Sequence, residues 1–317
     1  MLATLSVQLK KPTRYSLPTI SVGNIHLGGT GKTPLVAQIT RHFEHRKPAI
    51  LSRGYRSVLS NQGAEVDLTQ PRGFHLFGDE PWMLAKKTKA SIYIGRNRKK
   101  LFRKYPIEKN CGLIILDDGF QHRQIARDVD VVVIPSDAAP VTDACLPLGN
   151  LREPLKSLRR ASVAVVTTAE PDAEKIKAWE LVLRSFAPGT PLFIARRKVL
   201  QICDEAGALP DPSLKVWGAF CGIANPHRFE TDLKSYRTLQ LFRSYPDHHP
   251  YEWAEVEALI NEGKRKNVQG FVTTEKDFSK VKEQFKSAHM PLFVLEIEYE
   301  LPPLFWQSLE EQVAKAC

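Results

Sequence analysis

A run of six residues constrains this chain more than any other feature: Gly28-Gly29-Thr30-Gly31-Lys32-Thr33, directly after the β-branched stretch Thr19–Val22 and directly before Pro34 and a helical pattern. A strand, a glycine-rich turn and a helix in that order form a loop whose backbone N–H groups can close on phosphate oxygens. The helix N-terminus adds positive potential, Lys32 can reach β- and γ-phosphates, and Thr33 can ligate Mg²⁺. The strict pattern has a further glycine five residues before Gly31, where this chain has His26. The residues expected to hold the nucleotide are therefore Gly28, Gly29, Thr30, Gly31, Lys32 and Thr33, and the expected ligands are ATP and Mg²⁺. Lys32 also counts among the catalytic candidates.

Such a loop belongs in a parallel α/β sheet, and the rest of the chain fits one. Short apolar runs recur at Ala49–Leu51, Ser91–Ile94, Leu113–Leu116 and Val129–Ile134, then at Val163–Val166, Leu192–Ala195, Val216–Cys221, Phe271–Thr273 and Leu292–Ile297. Amphipathic stretches alternate with them: Thr33–Arg46 with Leu35, Val36, Ile39 and Phe43 on one face, Pro81–Lys87, Arg96–Tyr105, Glu170–Phe186, Pro226–Leu233, Glu252–Lys266 and Leu304–Ala314. The expected fold is an α/β, P-loop NTPase-type parallel sheet flanked by helices, with a second, smaller α/β domain. The turn-rich stretch Leu146–Pro154 suggests a division into a short N-terminal segment at 1–17 that could contact a membrane, a nucleotide-binding core at 18–155 and a second part at 156–317.

A magnesium ion needs a carboxylate at the end of a buried strand beside the phosphate loop, and Leu113–Leu116 runs straight into Asp117 and Asp118. With Thr33 these are the metal candidates, the two aspartates being indistinguishable at this level. The net charge of +10 favours an anionic partner of some kind. Arg96–Lys104, with six basic residues in nine, reads first as a solvated helix face and second as a surface for anionic lipid. No nucleic-acid-binding signature accompanies the charge, so nucleic acid is not expected. The five cysteines are scattered without a C-x-x-C pair, which favours a reducing compartment and argues against a zinc site or disulfide framework. Charge follows rather than precedes the apolar stretch of residues 1–9, unlike a secretory signal, and no apolar run approaches the ~20 residues of a membrane span.

Beyond the loop, a series of short motifs appears in order: S-R-G-Y at Ser52–Tyr55, G-D-E-P at Gly78–Pro81, L-D-D-G-F-Q-H at Leu116–His122, R-D-V-D at Arg127–Asp130 and L-R-E-P at Leu151–Pro154. Then come G-I-A-N-P-H-R-F at Gly222–Phe229, P-D-H-H at Pro246–His249 and T-E-K-D at Thr274–Asp277. Together with Ser21–Pro34, this set resembles the tetraacyldisaccharide 4′-kinases of lipid A biosynthesis. The resemblance implies transfer of the ATP γ-phosphate to the 4′-hydroxyl of a lipid A disaccharide 1-phosphate, by a peripheral enzyme at the cytoplasmic face of the inner membrane, with an anionic membrane surface as partner and no obligate protein partner. Family members usually carry a longer hydrophobic N-terminal segment than the roughly 17 residues found here before the first strand.

The same resemblance implies that Asp79 accepts the hydroxyl proton together with His248, with His249 a competitor for that role. From its position Asp79 could equally cap the helix at Pro81, and His248 could be a loop histidine bonded to Asp247. Arg53, Tyr55, Gln121, His122 and Arg152 are the candidates for gripping the acceptor, with Glu153 placed to orient Arg152 or to help at the metal. Trp82, Met83, Leu101 and Phe102 read first as core packing and second as residues that touch acyl chains. Two rival classes remain at this level. A partition or cell-division ATPase would carry Lys before the paired glycines, where Leu27 stands, and a soluble small-molecule kinase would leave the basic surface unexplained.

Overall fold

The computed structural model describes residues 11–138 and 144–316. The chain forms two compact units, Met1–Arg197 with Tyr299–Cys317, and Lys198–Glu298. The first ten residues, part of the N-terminal segment assigned above to membrane contact, lie outside the described residues.

The first unit contains strands β1 (Thr19–Gly23), β2 (Pro48–Ser52), β3 (Ala64–Glu65), β4 (Ser91–Ile94), β5 (Leu113–Asp117), β6 (Val129–Pro135), β7 (Val163–Thr168) and the start of β8 (Leu192–Cys203). Its helices are α1 (Lys32–His42), α2 (Gly73–Phe77), α3 (Asp79–Lys87), α4 (Arg98–Lys104), α5 (Ile107–Asn110) and α6 (Ala173–Phe186). The strand order is β8-β7-β6-β1-β5-β2-β4-β3, and only β3 pairs antiparallel. β1, β2 and β5 are buried along their whole length, as expected of strands covered on both faces.

On one face Leu35, Val36, Ile39 and Phe43 pack on Ile20, Val22, Ile115 and Val131, as their helical spacing predicts. On the other, Leu101 and Ile107 cover Ala49, Leu51 and Ile114, and Trp179, Val182 and Leu183 cover Val132, Ile134 and Val166. Pairing across residue 155, Val131↔Val163 and Val133↔Val165, places β6 and β7 side by side. The compact division thus falls within β8, at Arg197/Lys198, rather than at the 155/156 position suggested by turn composition.

The second unit holds β9 (Trp217–Cys221), β10 (Leu239–Ser244), β11 (Gly270–Thr273) and β12 (Leu292–Glu300), in the order β10-β9-β11-β12 with parallel pairing. α7 (Pro226–Lys234) covers one face through Phe229 and Leu233. α8 (Trp253–Arg265) and α9 (Glu275–Ser287) cover the other, around Phe220, Phe271 and Phe285. The chain re-enters the first unit at the end of β12 and finishes in α10 (Pro303–Ala314), whose Phe305, Leu309 and Val313 join the core beneath α1. β10 and α9 were not expected from periodicity: β10 is half exposed, and α9 is a charged helix whose apolar positions are few. β8 continues past Ala195 because Arg196 begins an alternation of exposed and inward positions that charge disguises.

Cys111, Cys145, Cys203 and Cys221 are free thiols. Among the described residues no helix is long and apolar enough to cross a membrane.

Candidate active site

Parallel pairing decides where the chemistry collects. Val22 of β1 pairs with Asp117 of β5, and Leu116 pairs with Leu51 of β2, so the segments leaving β1, β2 and β5 emerge at one edge, the C-terminal edge where α/β sheets bind ligands. The loop from Asn24 to Thr33, the Arg53–Tyr55 turn and the Asp117–His122 turn all start there.

The loop is held from below. Asn24, fully buried, donates to the His26 carbonyl (2.8 Å) and to Thr30 Oγ1 (2.9 Å). Thr167 of β7 donates to the Thr30 carbonyl at 3.2 Å. Gly31 has φ 79° and precedes α1, and a Cβ there would lie 1.8 Å from the Tyr299 hydroxyl. Glycine is thus required twice over, by the left-handed backbone and by the phenol. The Gln38 side chain clips the Tyr299 backbone with two hydrogen bonds of 2.8 and 3.0 Å, so the phenol is fixed against the loop. His26, in place of the strict motif's glycine, has no positive φ to satisfy and packs edge-on against Trp179 at 5.5 Å.

The two aspartates differ. Asp117 is 2% exposed and accepts from Ser52 Oγ at 2.9 Å. Burial, then the nearby Glu80 and Asp118 carboxylates, push its carboxyl up to about 7, against the opposing pull of Ser52 and Arg98. Asp118 turns outward with φ 49° and lies 3.5 Å from Lys32 Nζ. Arg152 grips it with two hydrogen bonds, 2.7 and 3.0 Å, and also donates to Asn24 Oδ1 at 2.9 Å. Burial alone would raise the Asp118 carboxyl, but Lys32, Arg152 and Arg98 hold it well below the usual carboxylate range.

These placements change three of the sequence expectations. Arg152, expected to grip the acceptor, is engaged with Asp118 and Asn24. Glu153 is paired instead with Arg160 at 2.9 and 3.0 Å, and the Arg160 guanidinium stacks over Phe120. The basic run is not uniformly solvated: Arg98 is buried and donates to the backbone carbonyls of Asp117 and Asp118, bracing the turn that carries both carboxylates.

Asp79 is the first residue of α3, and Gly78 rather than Asp79 occupies the N-cap position. Gly78 lies against the Tyr55 carbonyl, which sets the G-D-E-P turn beside the loop leaving β2. Arg53 and Tyr55 are exposed on that loop. Gln121 donates to the Asn24 carbonyl at 2.8 Å, while its Oε1 is buried without a hydrogen bond among the described residues. His122 is held neutral: burial, then Arg98, Arg127 and Arg53, bring its imidazole down to about 3. Trp82 and Leu101 are core residues, and Phe102 stacks on Tyr15 with ring centroids 3.5 Å apart.

In the second unit, His249 donates or accepts at Glu255 (2.9 Å) and stacks on Tyr245, so its ring is committed to the capping network of α8. His248 has φ 61°, and its Nε2 lies 3.8 Å from Asp247 Oδ2.

Asn24, Glu80 and Arg98 were missed by sequence reasoning. Asn24 and Glu80 sit inside motifs already quoted, but nothing in their spacing announces that one bonds the phosphate loop to both Gln121 and Arg152 and that the charge of the other bears on Asp117. Arg98 was hidden in a run of like charge.

The donor set suits Mg²⁺. A hydroxyl on Thr33 and carboxylates on Asp117 and Asp118 supply few protein oxygens, as an ion that keeps water and phosphate ligands requires. Among the described residues there is no cluster of three or more His, Cys, Asp or Glu that would make an all-protein metal cage.

Asp117 carries a pH signature. A carboxyl raised by folding binds its proton more tightly in the folded chain, so ionising it costs stability as pH rises from about 4 towards about 7. Metal-free protein is expected to lose thermal stability across that interval more steeply than the Asp117→Asn variant, with Mg²⁺ affinity rising over the same range. Thermal-shift and calorimetric titrations against pH read both, and parallel curves for the two proteins would contradict the assignment.

The comparisons with known proteins agree on one family. The family model described as tetraacyldisaccharide-1-P 4′-kinase matches residues 2–314. The tetraacyldisaccharide 4′-kinase of Desulfotalea psychrophila is 37% identical over 291 residues, covering 88% of this chain and 82% of the relative. That of Chlorobaculum parvum is 36% identical over 287 residues, covering 86% and 77%. The crystal structure of LpxK from Aquifex aeolicus in complex with ATP superposes with a TM-score of 0.74 at 27% identity, over 99% of this chain and 93% of that one. The chain belongs to the tetraacyldisaccharide-1-P 4′-kinase family.

Proposed function

We infer that this chain transfers the γ-phosphoryl group of ATP to the 4′-hydroxyl of a tetraacyldisaccharide 1-phosphate, the step its family is named for. The observation that carries the reading is the meeting, at one sheet edge, of the glycine loop, Lys32 and the Asp117–Asp118 turn, in a chain that matches the family from end to end.

Gly28 to Thr33 present backbone amides to the triphosphate, and Lys32 places its ammonium at the β- and γ-phosphates. Thr33, Asp117 and Asp118 would hold Mg²⁺, which when bound supplies positive charge to the transferring phosphoryl oxygens. Asp117 would be the ligand most dependent on the ion, since Ser52 and Arg98 only partly offset its burial beside Glu80 and Asp118. Asp118 fixes Lys32 and Arg152 in place, so we assign Arg152 to the phosphate end of the site rather than to the acceptor's 1-phosphate.

Arg53, Tyr55, Gln121 and His122 are then the residues for the acceptor. Neutral His122 and the unpaired Gln121 oxygen suit sugar hydroxyls, and Arg53 suits the anionic group. Asp79 takes the proton of the attacking hydroxyl, and His248 assists it. The acyl chains imply action at a membrane surface, at the cytoplasmic face of the inner membrane, where exposed members of the basic run, Arg96, Lys100 and Arg103, would meet anionic headgroups.

Incubation of the purified protein with γ-labelled ATP, Mg²⁺ and a tetraacyl disaccharide 1-phosphate in detergent is expected to label the lipid. Turnover of ATP without labelled lipid would reject the substrate assignment.

A further inference from the structure

We propose that the first turns of α9, through Lys276 and Asp277 with Lys280, are a positioning device for the loop that carries His248. The inference deepens the reading above and rests on His248 acting in the reaction.

The T-E-K-D motif is unused by the phosphate chemistry, yet it contains Asp277, a carboxylate with 0% exposure. Asp277 is fixed by the start of its own helix: Thr274 Oγ1 donates to its Oδ2 at 2.7 Å, and the Asp277 amide returns a bond to Thr274 Oγ1. The same Oδ2 accepts from the Gly222 amide at 2.8 Å. Gly222 in turn accepts through its carbonyl from the His248 amide at 3.2 Å, and its neighbour Cys221 accepts from Tyr245 at 2.8 Å. One carboxylate therefore sets the backbone to which the P-D-H-H loop is bonded. A Cβ on Gly222 would come within 2.8 Å of the Tyr251 hydroxyl and 3.2 Å of both Asp277 Oδ1 and the Pro246 carbonyl, so the loop lies directly on this residue.

Two lysines of the same helix face add direct contacts. Lys280 Nζ, 3.8 Å from Asp277 Oδ1, donates to the His249 carbonyl at 3.1 Å. Lys276 Nζ holds Asp247 Oδ1 at 2.6 Å, and the other oxygen of Asp247 faces His248 Nε2 at 3.8 Å. The imidazole is thereby ordered through Lys276, Asp247 and its own backbone.

A buried Asp–Lys pair is a poor way to gain stability, because desolvation consumes most of the attraction. A backbone in the left-handed region at a non-glycine residue, as at His248, persists only where its surroundings impose it. Both features make sense if what is being fixed is the direction of one side chain.

Lys276 is the residue to test, since its side chain is partly exposed and its loss spares the core, whereas removal of Asp277 endangers folding. Lys276→Met is expected to lower kcat by about tenfold while the KM for ATP stays within about twofold, and Lys276→Arg should restore most of the loss. In a His248→Ala background the same Lys276→Met change should cost less than about twofold, because its target is gone. The inference is overturned if Lys276→Met turns over like wild type, or if its cost is undiminished without His248. Wild-type turnover by His248→Ala alone would remove the His248 assignment itself, a separate outcome that takes the inference with it.

Discussion

Lys32→Ala is expected to lower turnover by on the order of 10³-fold, the scale on which a fixed cation at a transferring phosphoryl group contributes. The structure predicts that the loss is chemical and not structural. Lys32 Nζ is 3.5 Å from Asp118 Oδ1, but Arg152 holds the same carboxylate with two shorter bonds, so Asp118 keeps a partner when Lys32 is gone. The loop itself is braced by Asn24, Thr167 and Tyr299, none of which depends on the lysine. Thermal stability should therefore remain close to wild type while ATP turnover collapses. A variant that is folded and nearly fully active would undo the phosphate-loop account.

The second large effect is expected at Asp79. Loss of a positioned base costs ~10² to 10⁴ in rate, and Asp79→Ala should fall in that range with ATP affinity nearly unchanged. The two outcomes separate two roles, because Glu80, the next residue, is the one whose charge bears on Asp117. A collapse of nucleotide and Mg²⁺ binding in Asp79→Ala would move Asp79 from proton transfer to the metal site. Equilibrium binding of a non-hydrolysable ATP analogue, set against single-turnover kinetics, distinguishes them.

Much of the architecture was legible because it rests on strong local signals. β1, β2, β4 and β5 are short, apolar and buried on both faces, and α1 shows its core face at helical spacing, so pattern and burial coincide. Where charge lies on buried or half-buried elements, the pattern failed. α9 is rich in Lys and Glu, yet it buries Asp277, Phe278, Lys280 and Val281, and its helix was not foreseen. β8 was cut short at its arginines for the same reason.

The phosphate loop and the paired aspartates could be read as a site because each motif is contiguous. The partnership of Arg152 with Asp118 joins residues 34 apart in the chain, and that of Arg98 with the Asp117 turn joins residues 19 apart. Neither follows from spacing; both depend on which strand ends the parallel register brings together. The distinction between Asp117 and Asp118 is likewise a matter of burial, one turned into the protein beside Ser52 and the other outward to Lys32.

A crystal structure of the protein with a non-hydrolysable ATP analogue and Mg²⁺ tests the central claim most directly. It should show the triphosphate against the amides from Gly28 to Thr33, Lys32 at the terminal phosphates, and the ion on Thr33 and at least one of Asp117 and Asp118. Nucleotide bound elsewhere, or an ion with none of these three ligands, would contradict it.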